Sequence, residues 1–421
     1  FYEEFNEANN KILMNSDFSY QSVFEELIEK LIGAENSIDC KAECLITLNN
    51  NIQASPRFIK NYYNTDFLNS MFDLASTQPY ICCLVYKFFT SLMKNFAKKL
   101  YPTFLELNIY KNTIDSIDPS LDHFTYHYIL LFICETIRQI PDSIIHFIDC
   151  GIVKQLECID ENDNVDQLLF IHSNILMHNE ENGNSSISNV FNFLSKSKIT
   201  TIANALYYIQ KSLQKQDNDY IWKFAIADKR LSFLLEIYDV HIISRVIYCY
   251  TLICNFGEEA ISTLIEEKSI LNKIFQFILD MIEQKSSEEH QILIDNHIAV
   301  LSALELINSM IENSKSEAII EEIYKIFIVF EFPKTISFFN FECKYKICQM
   351  SLNLLCKIGR NQAVELFTAD FFDLVAQTLT TDIEKIEYFD LGLNIAKERF
   401  AVDDNFVKLI DEIQCKYCSC Y

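Results

Sequence analysis

The side chains able to do chemistry are few, and their spacing serves it badly. His123 and His127 stand four apart in HFTYH, on one helix face, as a pair of zinc ligands would. A zinc protease needs a glutamate directly after the first histidine, and Phe124 fills that place. Cys415, Cys418 and Cys420 form CKYCSC, and the first two have metal-ligand spacing. A structural zinc needs four ligands, and neither a second pair nor a histidine lies nearby in the sequence. Asp160, Glu161, Asp163 and Asp166 lack the turn glycine and the closing bidentate glutamate of a calcium loop. There is no Gly-rich phosphate loop, no Gly-x-Ser-x-Gly elbow and no kinase-like lysine motif, and the 6 glycines could hardly build one. The sequence predicts no enzyme, no metal and no cofactor.

The polar residues worth following lie on a helix within 242–282, IISRVIYCYTLICNFGEEAISTLIEEKSILNKIFQFILDMI. Ile242, Val246, Cys249, Ile253 and Phe256 recur at gaps of 4, 3, 4 and 3, one buried helix face. Ser244, Tyr248, Thr251 and Asn255 follow the same rhythm on another face. Asn255, Phe256 and Gly257 close the helix, glycine supplying the left-handed residue that a helix end often needs. A short helix follows, then a turn at Lys268 and Ser269. A third helix carries Leu271, Ile274, Phe275, Ile278 and Ile282 on one side.

Composition extends this helical reading to the whole chain. Half of the 421 residues are apolar, while Gly and Pro number only 6 each, too few for a β-rich protein of this length. The 15 cysteines sit mostly in apolar helix faces (Cys82, Cys134, Cys249, Cys348, Cys356), where a free thiol is a small hydrophobe. The opening FYEEFNEANN has no apolar run, so the expected compartment is reducing, cytoplasmic or nuclear rather than secreted. No window is apolar enough to span a membrane; the nearest, 81–93, is broken by Lys87. A net charge of −24 disfavours direct contact with nucleic acid and suits a protein partner with a Lys/Arg-rich segment.

The same grammar recurs along the chain. Asp66, Asn108 and Gly151 each mark the turn before an amphipathic helix, at intervals of 42 and 43. Arg230 follows 79 after Gly151, Ser269 a further 39, and Asp370 a further 101, with degenerate copies near Ser188 and Ser316. Gly257 and Gly359 close similar helices 102 apart, and CLITLNNNIQASPRFI, residues 44–59, fits the same slot before Asp66. Pro56, Pro79, Pro102, Pro119 and Pro141 fall near half-periods and are expected at helix starts or breaks, not inside helices. This order of helices and turns resembles that of armadillo-type repeat proteins, over about residues 20–400.

The resemblance implies an all-α fold: an α-solenoid, a right-handed superhelix of about eight armadillo/HEAT-like repeats. The expected blocks are repeats in 1–176, a polar loop in 177–189, repeats in 190–400, and a short helix with a cysteine-containing tail in 401–421. It also implies a non-catalytic scaffold or adaptor that binds protein peptides or helices along a concave, acidic groove. The alternative is a spacer or regulatory subunit of a larger complex. In armadillo proteins that carry nuclear signals, an Asn on the third helix clamps a bound peptide and a Trp one turn earlier flanks it. Here Asn255 matches the Asn, but Thr251 stands in the Trp place. Asn50 is a second match, again without Trp, and the one Trp, Trp222, is followed four later by Ile226. The candidate groove residues are thus Ser244, Tyr248, Thr251, Asn255 and Asn50.

Overall fold

The computed structural model describes residues 17–54, 64–117, 121–156, 161–178, 187–196, 198–215, 219–236, 239–266, 270–284, 290–329, 341–366 and 404–417, with a few more between 390 and 398. Every regular element among them is helical, with no strand. The chain divides into two compact units, Phe1–Glu181 and Asn182–Tyr421.

The first unit contains α1 (Asp17–Ile32), α2 (Ile38–Ala54), α3 (Thr65–Ala75), α4 (Pro79–Glu106), α5 (Ile109–Asp115), α6 (His123–Gln139), α7 (Ser143–Asp149), α8 (Ile152–Leu156) and α9 (Glu161–Leu176). The long helices pack in chain order, α2 on α4, α4 on α6, and α6 on α9. Shorter helices between them cover their flanks, α3 and α5 on α4, α7 on α5 and α6. Helix α4 is therefore buried on most sides. Phe89 is fully buried and meets Phe72 at 4.6 Å, Phe132 at 5.9 Å, Tyr86 at 6.0 Å and Phe104 at 6.3 Å between ring centroids. Each such ring contributes its buried area and a further edge-to-face or tilted contact.

Local chemistry sets the helix ends. The carboxamide oxygen of Asn64 accepts from the Phe67 amide, and a carboxylate oxygen of Asp122 from the Phe124 and Thr125 amides, which caps α3 and α6. Pro79 stands in the first turn of α4, where its missing N–H costs nothing. Asn108 and Gly151, two of the repeat markers, adopt positive φ of 50° and 91°. Glycine adopts this left-handed backbone freely, and Asn is the next most tolerant residue. One expectation about proline fails. Pro102 lies inside α4, where it forfeits a backbone bond and crowds the carbonyl of Lys98. The helix is in fact two segments joined at Phe96, whose φ of −136° and ψ of 16° are not helical.

The second unit holds α10 (Ile187–Asn192), α11 (Ile199–Gln214), α12 (Asp219–Ala227), α13 (Lys229–Phe233), α14 (Val240–Cys254), α15 (Glu258–Glu266), α16 (Ile270–Gln284), α17 (His290–Asn313), α18 (Glu317–Val329), α19 (Phe341–Leu355), α20 (Arg360–Leu366) and α21 (Asp404–Tyr417). Helix α10 begins inside the stretch 177–189 expected as loop. The serial pattern returns, with α11 on α14, α14 on α17 and α17 on α19. The three helices anticipated in 242–282 are α14, α15 and α16. Ile242, Val246, Cys249 and Ile253 are buried, as are Leu271, Ile274, Phe275 and Ile278. Gly257 has φ of 97°, whereas Gly359 is not left-handed and instead donates its N–H to Gln362 Oε1 at 2.8 Å. The markers Ser269 and Asp370, together with Pro56, Pro119, Cys418 and Cys420, lie outside the described residues.

Candidate interaction surface

Helix α14 places four of the five candidate residues in one row. Asp239 caps its start by accepting from the Ile242 amide. Tyr248 is 39% exposed, and Asn255 is exposed at the helix end. Ser244 and Thr251 are half-buried, and each hydroxyl donates to its own helix, to the Val240 carbonyl at 2.9 Å and the Ile247 carbonyl at 3.1 Å. Tyr248 is held by the preceding long helix, since Gln214 Nε2 donates to its hydroxyl at 3.1 Å. Asn255 has no side-chain hydrogen bond among the described residues. Asn50 is likewise exposed and uncommitted, but it stands on α2 in the other unit.

The side chains that bind one long helix to the next were not singled out from the sequence. Asn49 Nδ2 donates to the Leu84 carbonyl at 3.1 Å, joining α2 to α4. Gln210 Nε2 donates to the Arg245 carbonyl at 2.9 Å, joining α11 to α14. Each link spans 35 residues. Asn353 Nδ2 donates to Asn308 Oδ1 at 2.9 Å and Glu312 Oε1 at 2.8 Å, joining α19 to α17. Lys357 Nζ closes the C-terminal end of α17, donating to the carbonyls of Ile311, Glu312 (2.9 Å) and Ser314 (2.7 Å). Burial pushes this ammonium below its ordinary pKa, against the pull of Glu258 and Glu312.

The open strips of these helices carry both signs of charge. In the second unit they include Lys211 and Arg245, then Glu305 and Glu312, then Lys346. In the first unit Lys87 Nζ lies 5.9 Å from the Tyr128 ring centre and Arg138 4.8 Å from that of Phe170. These contacts set the strips of α4, α6 and α9 side by side. Many of the exposed carboxylates stand elsewhere, on α1 (Glu25, Glu29) and α18 (Glu317, Glu321, Glu322).

The histidine pair makes local contacts. His127 Nδ1 lies 3.3 Å from Gln167 Nε2, and the His123 ring rests 3.9 Å from Phe124. Among the described residues no three His, Cys, Asp or Glu stand together as metal ligands would. Burial pushes the thiols of Cys82, Cys134 and Cys249 up to about 12, which suits inert packing groups. Cys356 is only half-buried, and Cys415 is exposed. Trp222 is buried at 3% exposure with Phe256 6.5 Å away, so its ring does not line an open strip. No described helix is long and apolar enough to cross a membrane.

No family model matches the chain. No curated protein matches it either. Among solved structures, it is similar to the crystal structure of an engineered protein from the Northeast Structural Genomics Consortium, with a TM-score of 0.64 at 10% identity over 94% of this chain and 98% of that one. A second engineered protein from the same consortium gives a TM-score of 0.34 at 9% identity, over 67% of this chain and 97% of that one. The first likeness bears on the fold alone.

Proposed function

We propose that the chain is an α-solenoid of armadillo/HEAT-like repeats acting as a non-catalytic scaffold, which holds extended segments or helices of protein partners along the open strips of its long helices. The observation that carries this reading is the serial packing of long helices, tied by polar links from one to the next. Modules built this way cannot bury their faces alone, and stacking them leaves a row of similar surfaces, suited to a long ligand. Tyr248 and Asn255 on α14, with Ser244 and Thr251 beside them, and Asn50 on α2 are the proposed contacts. The net charge of −24 favours encounter with Lys/Arg-rich segments, while the mixed strips make docking depend on amide and aromatic contacts.

The mixed sign also supports a second reading, a spacer or regulatory subunit in a larger complex, for which an acidic groove is not needed. Quantitative affinity purification of the full chain against Y248A/N255A separates the two. A scaffold using this strip loses its partners in the double variant, while a variant on α18 such as E321A/K325A keeps them. Equal recovery from all three would overturn the strip as the binding surface.

A further inference from the structure

The open strip of α4 has a regular composition of its own. Tyr80, Lys87 and Lys94 stand seven apart, nearly two helical turns, so they share one face. Tyr80 is 57% exposed, and Phe124 at the start of α6 is 61% exposed. The two helix starts lie together at Thr125, whose single hydroxyl proton is shared between the Asp122 carboxylate at 2.9 Å and the Pro79 carbonyl at 3.1 Å. Between the large residues the floor is low: Cys83, Thr90 and Ser91, with both hydroxyls turned back to their own helix, onto the Tyr86 and Lys87 carbonyls. Helices α2 and α6 flank α4, and Tyr128 of α6 stands beside Lys87. Among the described residues neither Lys87 nor Lys94 pairs with a carboxylate. Glu135 on α6 is engaged by Arg138 and Gln139, and Asp122, whose charge reaches Cys83, accepts from the Phe124 and Thr125 amides. Two unpaired ammonium groups in line are an unusual surface for a chain of charge −24.

We propose that this strip binds an extended acidic peptide, with a bulky apolar side chain against Tyr80 and Phe124 and carboxylates on Lys87 and Lys94. The spacing fixes the register. Seven helical residues advance about 10.5 Å at 1.5 Å each. One turn of an extended polyproline II segment, three residues, advances about 9 Å and brings its side chains back to the same face. The ligand therefore carries an apolar residue, an acid three positions later and another three after that. This rests on the scaffold reading above and adds the chemistry of one client.

The test is fluorescence anisotropy of the full chain with a labelled seven-residue peptide, phenylalanine at its first position, glutamate at its fourth and seventh, and glycine or serine elsewhere. Saturable binding is expected, weakened at least about tenfold in K87E/K94E. A peptide with lysines in place of the glutamates should bind K87E/K94E better than wild type, which guards against a variant that merely fails to fold. No saturable binding to wild type, or binding indifferent to the charge swap, overturns the inference. If partners are still recovered by affinity purification from K87E/K94E as from wild type while the peptide does not bind, the acidic client is wrong and the scaffold reading stands. Equal recovery of partners from Y248A/N255A with the peptide still bound has the opposite meaning: the α14 strip is wrong and the α4 site is upheld.

Discussion

Truncating Phe89 to alanine should unfold the first unit and spare the second. The ring is fully buried and touches aromatic residues from α3, α4 and α6, so its removal opens a cavity at the junction of three helices. Buried Phe→Ala changes cost about 3–5 kcal/mol, and loss of several aromatic contacts puts this site at the upper end. At a urea slope of roughly 2–3 kcal/mol/M, the midpoint of the first unit should fall by roughly 1–2 M. Two probes separate the units. Circular dichroism follows all helices. The single tryptophan, Trp222, lies buried in the second unit, and its fluorescence, excited at the red edge to spare the tyrosines, follows that unit alone. The expected result is an early circular-dichroism transition with an unmoved Trp222 midpoint. A circular-dichroism midpoint unchanged, or a Trp222 midpoint shifted equally, would refute the reasoning, because either outcome means that the stability does not reside in local seams.

Other consequences are smaller. Asp122→Ala removes the cap of α6 and should cost about 1 kcal/mol in thermal or urea unfolding. Desolvation pushes the Asp122 carboxyl up, but the Thr125 hydroxyl and the Thr125 and Phe124 amides outweigh it and hold the pKa below its ordinary value. A depressed carboxyl stabilises above the ordinary carboxylate range and loses that contribution as pH falls through the lowered value, so acid melts of Asp122→Ala should show a weaker pH dependence than wild type. Lys357→Met strips three carbonyls at the end of α17 of their donor and should cost about 1–3 kcal/mol, read as faster hydrogen exchange in the last turn of α17. A thiol reagent at neutral pH should label Cys415 quickly and leave Cys82, Cys134 and Cys249 untouched until urea unfolds the chain, which mass spectrometry of the labelled peptides would report.

Much of the helical organisation was legible because it rests on local rules. The four-three rhythm of Ile242, Val246, Cys249 and Ile253 has one good solution, a half-buried helix, and the structure buries all four. Asn108, Gly151 and Gly257 could be found because a left-handed turn tolerates few residues. Pro102 misled because a proline can also be accommodated by kinking a helix, and the kink at Phe96 depends on packing that sequence spacing does not reveal. The links through Asn49 and Gln210 were missed for a related reason: each acceptor is a backbone carbonyl 35 residues away, and any side chain could occupy that position in the sequence. Charge was read as a whole-chain property, whereas many exposed carboxylates sit on helices such as α1 and α18 and the strips of α4 and α14 carry Lys87, Lys94 and Arg245.

Native-state hydrogen exchange on wild type and Phe89→Ala tests the central claim most directly, that each long helix draws its stability from the next in line. Amides of α3, α4 and α6 should lose protection in the variant while those of α14, α17 and α19 keep theirs, with opening free energies that differ from seam to seam. Exchange of every protected amide through a single global opening, lowered uniformly by the substitution, would contradict it.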